Sequence, residues 1–348
     1  MRVLTNPHRG AGLPEAALPG IPVPSIDAAR PAALLARCPA AARTPLIASP
    51  SLARALGVAE AWVKDERARM GLGSFKALGA AYVIACDAQA GRAQGAAYVT
   101  ASAGNHGLSV AAGARAFGAR AVVYLSRQVP QAFADRLAAL GAEVVREGED
   151  YEASMQAAAE AAKAQGAILL SDSSWPGYTE KPHRLMEGYL ALMAETFEQM
   201  PDAPTHILLQ AGVGGLAAAA AALARARWGD APRIVVAEPD AAPALIASIE
   251  AGGSVDTTGP ASCMGRLDCK TPSLIALKGL ARDADAFATI SEAEGRAGAA
   301  LCARHDLATT PSGAAGLAAA HAACAAARMA LGLTLASRLL AILSEAPE

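Results

Sequence analysis

The sequence predicts an α/β protein of two lobes, each a mostly parallel sheet flanked by helices. Three observations predict it. Short runs of β-branched and aliphatic residues alternate with longer helical periods along most of the chain, the pattern of βα units. Those runs are nearly continuous in their apolarity, as strands buried on both faces are. The chain of 348 residues is also longer than one hydrophobic core readily organises.

The elements follow in order. Residues 1–45, rich in Pro and Ala, are expected as an irregular arm with one short helix. AWVKDE (61–66) reads as a strand, and 75–90 as the helix after it. Strands at 96–101, 120–126, 142–147 and 167–172 each precede a helical period, at 105–117, 130–140, 150–164 and 178–198. THILLQA (205–211) and RIVVAEP (233–239) are strands, followed by helices over 213–228 and 241–251. The Gly- and Thr-rich stretch 252–285 is expected as a long ordered loop. A strand at 286–290, helices at 291–304 and 312–330, and a last strand at 339–344 complete the set.

Composition narrows the function classes. Net charge is −2, with no basic stripe, and aromatic residues are 4% of the chain. Neither supports a nucleic-acid partner. No apolar run reaches the roughly 20 residues that cross a bilayer, and the first residues lack the apolar core of a signal peptide. The expectation is a cytoplasmic protein with no membrane partner. Six scattered cysteines without a C-x-x-C pair read as free thiols. The six histidines show no metal-ligand spacing, so no metal is expected, and no G-x-S-x-G elbow is present.

Four polar or glycine-rich segments fall where strands end and helices begin, the edge at which parallel sheets bind ligands. In Gly73-Ser74-Phe75-Lys76, Ser74 is expected to cap the next helix. Lys76 then lies in its first turn, where dipole and burial both favour the neutral amine of a Schiff-base or general-base lysine. A lysine that snorkels to solvent is the competing reading. In Ser102-Ala103-Gly104-Asn105-His106-Gly107, small residues let amides approach an anion and Asn105 offers a hydrogen bond. His106 is either an acid/base group or a packing residue under the loop.

Gly212-Val213-Gly214-Gly215-Leu216-Ala217 suits a phosphate. It also fits the G-x-G-x-x-A dinucleotide fingerprint, with Glu238 near the place of a ribose-binding acid. A structural glycine turn would give the same string. In Ser171-Asp172-Ser173-Ser174-Trp175-Pro176-Gly177-Tyr178, Asp172 could hold a substrate ammonium or serve as an acid, or be a helix cap or salt-bridge partner.

Taken together, SFKALG, SAGNHG and GVGGLA resemble, in order, the lysine, asparagine and phosphate segments of the fold-type II, tryptophan-synthase-β-like pyridoxal-phosphate enzymes. KDERARMGLGSFKALGAAY, SDSSWPGYTEKPHRLMEGY, CMGRLDCKTPSLIAL and PSGAAGL narrow the resemblance to the diaminopropionate ammonia-lyase family, from about Asn6 to Glu345. The resemblance implies pyridoxal 5′-phosphate as cofactor, joined to Lys76 beside Phe75. It implies Asn105 and Ser344 at the ring, and the phosphate on Gly212, Val213, Gly214, Gly215 and Leu216. It puts the amino-acid substrate on Ser102, Ala103, Gly104, Asn105 and His106, with Asp172 and Tyr178 opposite. It also implies a large cofactor lobe of residues 1–80 with 200–348, a smaller lobe of 81–199, and a homodimer.

The family usually carries Asp where this chain has Ala103, a change that bears on use of D-isomers. The implied reaction is α,β-elimination from a β-substituted L-amino acid, 2,3-diaminopropionate above all, to pyruvate and ammonia. Lys76 would be the base at Cα, and Asp172 the holder of the β-ammonium. A serine, threonine or hydroxyaspartate dehydratase of the same fold is the nearest alternative. A nicotinamide-dependent oxidoreductase, built on the fingerprint and Glu238, is a more distant one.

Overall fold

A computed structural model describes residues 1–347 of the chain. The elements run β1 (Arg2–Thr5), α1 (Ala29–Leu35), β2 (Leu46–Ala48), α2 (Pro50–Leu56), β3 (Glu60–Asp65), α3 (Lys76–Gln89), β4 (Ala97–Ala101) and α4 (Asn105–Ala116). They continue with β5 (Arg120–Leu125), α5 (Gln131–Ala139), β6 (Glu143–Arg146), α6 (Tyr151–Gln165), β7 (Ile168–Leu169), α7 (Glu180–Gln199), β8 (His206–Gln210) and α8 (Gly215–Trp228). The last are β9 (Arg233–Pro239), α9 (Ala244–Ala251), α10 (Leu274–Asp283), β10 (Ala286–Ile290), α11 (Glu292–Ala303), α12 (Pro311–Ala322), α13 (Ala325–Leu331) and β11 (Arg338–Leu343).

Two sheets result. Seven strands lie in the order β1-β10-β9-β8-β11-β3-β2, and four in the order β6-β5-β4-β7. All neighbours in the smaller sheet are parallel. In the larger sheet only the two outer pairings, β1 with β10 and β2 with β3, are antiparallel. The N-terminal arm is thus better ordered than its composition suggests, because its first residues add an edge strand. β8 and β10 are buried along their whole length, which explains why they read as unbroken apolar runs.

Helix ends follow local chemistry. Ser49 caps α2 and Gly57 ends it in the left-handed region. Asp150 caps α6, and Ser291 with Glu294 forms a reciprocal capping box on α11.

Three expectations are corrected. The stretch 252–285 is not irregular throughout, since α10 occupies Leu274–Asp283 and packs on α8. Residues 312–330 form two helices bent by 108°, not one. The strand expected at 167–172 is paired only at Ile168 and Leu169, and the residues after it turn away toward the site.

A buried ionic cluster fixes the chain between β3 and α3. Lys64 and Arg69 are fully buried. Lys64 donates to Glu195 at 2.7 Å and to the Thr44 carbonyl at 2.7 Å. Arg69 donates to both oxygens of Glu66 (2.7 and 2.8 Å) and to both of Glu195 (2.8 Å each). Two cations thus meet two carboxylates, and the arm, β3 and the end of α7 are tied together seven residues before Lys76. Deleting one carboxylate would leave buried cations uncompensated. Glu195→Ala is expected to cost about 3 kcal/mol in urea unfolding, and a midpoint equal to wild type would contradict this.

Candidate active site

The site forms where the C-terminal ends of parallel strands from both sheets face each other. The segment after β3 leads to Lys76, and the end of β8 leads into α8. β4 leads into the Ser102–Asn105 turn. Beyond β7 the chain carries Asp172, and β11 is followed by Ser344 and Glu345.

Lys76 is the first residue of α3, and its Nζ donates to Asp172 Oδ2. This ion pair links the two sheets. Burial works to lower the lysine, but the charge of Asp172 outweighs it and raises the ammonium above its ordinary value. Burial works to raise Asp172, and the charge of Lys76 more than offsets it, so the carboxyl lies well below the usual range. The neutral amine expected from helix dipole and burial is therefore corrected: the partner charge dominates over both. The expected Ser74 cap is corrected too. Phe75 holds the N-cap position, and the buried Ser74 hydroxyl finds no hydrogen-bond partner among the described residues.

Asn105 opens α4, and its amide donates to Glu345 Oε2 at 2.5 Å. Glu345 also accepts from Thr310 Oγ1, and Arg266 Nε lies 3.8 Å from its Oε2. Glu345 escaped the sequence reading, which placed Ser344 at the ring. Ser344 is buried, and its carbonyl accepts the Phe75 amide at 3.1 Å, joining the last strand to the lysine segment. In the Asn105 loop, Ser102 Oγ accepts the Gly104 amide at 3.2 Å. Gly104 lies under Arg266, whose Cδ would be 3.2 Å from a Cβ there. Arg266 Nη1 is also 3.5 Å from the Ala103 carbonyl.

His106 is buried, and its Nε2 lies 2.8 Å from the Leu170 carbonyl. A carbonyl only accepts, so Nε2 carries the proton. Burial lowers the ring's pKa and keeps it neutral. The ring ties α4 to the chain leaving β7, which is the packing role, and its Nδ1 has no partner among the described residues. Tyr178 is engaged with its own loop. Its hydroxyl donates to the Leu169 carbonyl (2.9 Å) and accepts from the Ser171 amide (3.0 Å), and its ring stacks on Trp175 at 4.3 Å. It shapes the turn that carries Asp172.

The Gly212–Leu216 turn ends in α8. Gly214, at φ +95°, is the N-cap, and no side chain among the described residues caps the helix. A Cβ on Gly214 would lie 3.0 Å from Leu245 and 3.1 Å from Ala276. One on Gly212 would lie 3.0 Å from the Leu267 Cα. Glycine is thus required by backbone conformation and by packing, and the Val213 carbonyl is held by the Ser273 amide at 3.0 Å. The first-turn amides of α8 remain available to an anion. Cys269, not foreseen, adjoins this turn, with its Sγ 3.0 Å from where a Cβ on Gly212 would stand.

Glu238 settles the dinucleotide reading. It is fully buried and accepts the Leu245 and Ile246 amides, both at 2.8 Å, at the start of α9. Both of its oxygens are taken up in capping a helix, so the reading as an oxidoreductase is set aside. An aldehyde-bearing phosphate ester, by contrast, fits what is present: uncapped amides at the head of α8, an amine at Lys76, and an orphaned buried hydroxyl at Ser74 beside it.

The fold and this arrangement define an enzyme of the lysine-bound pyridoxal class. The chain belongs to the pyridoxal-phosphate dependent enzyme family, whose profile matches residues 38–345. It is similar to diaminopropionate ammonia-lyase of Salmonella typhimurium, 32% identical over 267 residues, covering 69% of this chain and 66% of that protein. It is similar also to diaminopropionate ammonia-lyase of Escherichia coli, 34% identical over 251 residues, covering 66% of this chain and 63% of that one. The matched stretch thus spans just under two thirds of either relative's length. A crystal structure of the Escherichia coli diaminopropionate ammonia lyase, in complex with an aminoacrylate–PLP azomethine reaction intermediate, superposes with a TM-score of 0.89 at 27% identity. That superposition covers 99% of this chain and 93% of the other.

Glu238 gives a pH test. Burial pushes its carboxyl up to about 8, above the ordinary 4.5, against the two amide bonds that favour ionisation. A raised folded-state value means that its stabilising contribution is complete below 4.5 and is lost as pH rises through about 8. Between about pH 5 and about pH 8.5, the wild-type Tm is expected to fall more than that of Glu238→Gln. Parallel Tm curves would show that the carboxyl is ionised throughout.

Proposed function

We propose that the chain is an ammonia-lyase that eliminates the β-substituent of a β-substituted L-amino acid, with 2,3-diaminopropionate as its substrate. The observation that carries this reading is the Lys76–Asp172 pair at the junction of the two sheets, in a chain of the pyridoxal-phosphate dependent family. Similarity to the diaminopropionate ammonia-lyases supports the choice of substrate.

Pyridoxal 5′-phosphate, when bound, supplies the electron sink for cleavage of Cα–H. The amides at the head of α8 would hold its phosphate, and Phe75, Asn105 and Ser344 would border its ring. Once Asp172 has turned to the substrate, burial again favours the neutral amine, and Lys76 Nζ in that form receives the proton from Cα. The electron pair left behind forms the Cα–Cβ double bond as the β-nitrogen departs as ammonia. Asp172 holds the β-ammonium, a role suited to a carboxylate that stays ionised. The Ser102–Asn105 turn receives the α-carboxylate through its amides. The enamine that leaves takes up water and yields pyruvate and a second ammonia.

The competing dehydratase would expel hydroxide and needs no anion at the β-position. A substrate panel scored by keto-acid release separates the two. Asp172→Asn is expected to lower kcat/KM for 2,3-diaminopropionate about 100-fold while changing serine turnover far less. Equal loss on both substrates would remove the ammonium role. Lys76→Ala is expected to abolish turnover and the visible absorbance of bound cofactor, and elimination at the wild-type rate would refute the assignment. Ala103→Asp is expected to add turnover of the D-isomer, read with enantiopure substrate.

A further inference from the structure

Tyr189, in the second half of the α7 run KPHRLMEGY, is 2% exposed, and its hydroxyl has no hydrogen-bond partner among the described residues. A buried phenol normally finds a partner. Its ring occupies a slot that two glycines leave open. A Cβ on Gly79, one helical turn beyond Lys76, would stand 2.5 Å from the Tyr189 Cε1 and 2.9 Å from its Cζ. A Cβ on Gly215, the first residue of α8, would stand 3.7 Å from Cε2. Phe75 closes the slot, with its ring edge-to-face on Tyr189 at 4.8 Å. Lys76 Nζ lies over that same Phe75 ring, 5.3 Å from its centre. The phenol is therefore wedged between the lysine helix and the anion-binding turn. Lys76 and Asp172 are the charges that act on it after burial itself.

We infer that Tyr189 is a positioning residue for Lys76: its hydroxyl is the second anchor of the Nζ amine, taking it up whenever Asp172 is engaged elsewhere. The inference rests on the proposed elimination for the step at which this matters. When Asp172 turns to the substrate β-ammonium, Nζ loses its carboxylate partner. It would swing freely within a buried site unless another polar atom received it. The hydroxyl can accept from the ammonium or donate to the neutral amine. It thus keeps Nζ aimed at Cα through both protonation states.

Tyr189→Phe keeps the ring and its packing and removes only the oxygen. In cofactor-free protein carrying Asp172→Asn, so that Nζ has lost its carboxylate partner, Lys76 is labelled with acetic anhydride at fixed pH with and without Tyr189→Phe, with exposed Lys163 as internal reference, and the peptides are quantified by mass spectrometry. Loss of an acceptor lowers the ammonium's pKa, so the Lys76:Lys163 labelling ratio is expected to rise about tenfold in the variant. In the loaded enzyme kcat is expected to fall at least about tenfold, with KM within about twofold. An unchanged labelling ratio would overturn the inference, since the ring's packing role survives in Phe. The labelling needs no turnover, so it judges Tyr189 even if no β-substituted amino acid proves to be a substrate.

Discussion

The site depends on how closely α3 and α7 approach each other. A Cβ on Gly188 would lie 2.4 Å from the Leu78 carbonyl oxygen, and one on Gly79 would lie 2.5 Å from the Tyr189 Cε1. Only glycine permits that approach from both sides. The contact sets the first turn of α3, and hence Lys76, against the chain that leaves the four-stranded sheet. The ionic cluster around Arg69 and Glu195 fixes the preceding segment from the other end of α7. Between these restraints a flexible side chain is confined to a small volume, which is what a reacting amine requires.

The charges at the site are arranged by pairing. An isolated buried lysine would be driven toward neutrality and an isolated buried aspartate toward protonation. Brought together, Lys76 and Asp172 each hold the other in its charged form. Glu238 shows the opposite outcome, because its partners are two backbone amides without formal charge, and burial prevails. The same physics thus marks one carboxylate as ready to meet a cation and the other as a structural cap.

Much of this was legible in the sequence, and what was missed has physical reasons. The βα alternation and the three segments around Lys76, Asn105 and Gly212 depend on local chemistry: continuous apolar runs, and small residues where the backbone must approach a ligand. α10 was hidden because its flanking residues are rich in Gly and Thr, so composition outweighed the apolar period of Leu274–Asp283. The bend between α12 and α13 falls in HAACAAA, where neither Gly nor Pro announces a break. The shortening of β7 comes from the site, since Ser171 and Asp172 leave the sheet toward Lys76. Tyr189 and Glu345 could not be read from spacing at all. One is a helical aromatic indistinguishable from core, and the other follows a strand by two positions. Only the tertiary approach of α3, α4 and α12 gives them meaning.

The charged residues at the site face one another in pairs. Lys76 faces Asp172, Arg266 lies beside Glu345, and His106 is neutral. Such a pocket projects little field beyond its mouth. Even a guest with a β-ammonium, and so one net positive charge, is therefore drawn in only weakly by these residues from a distance. Selection begins only on contact, when the internal pairs exchange their partners for those of the guest.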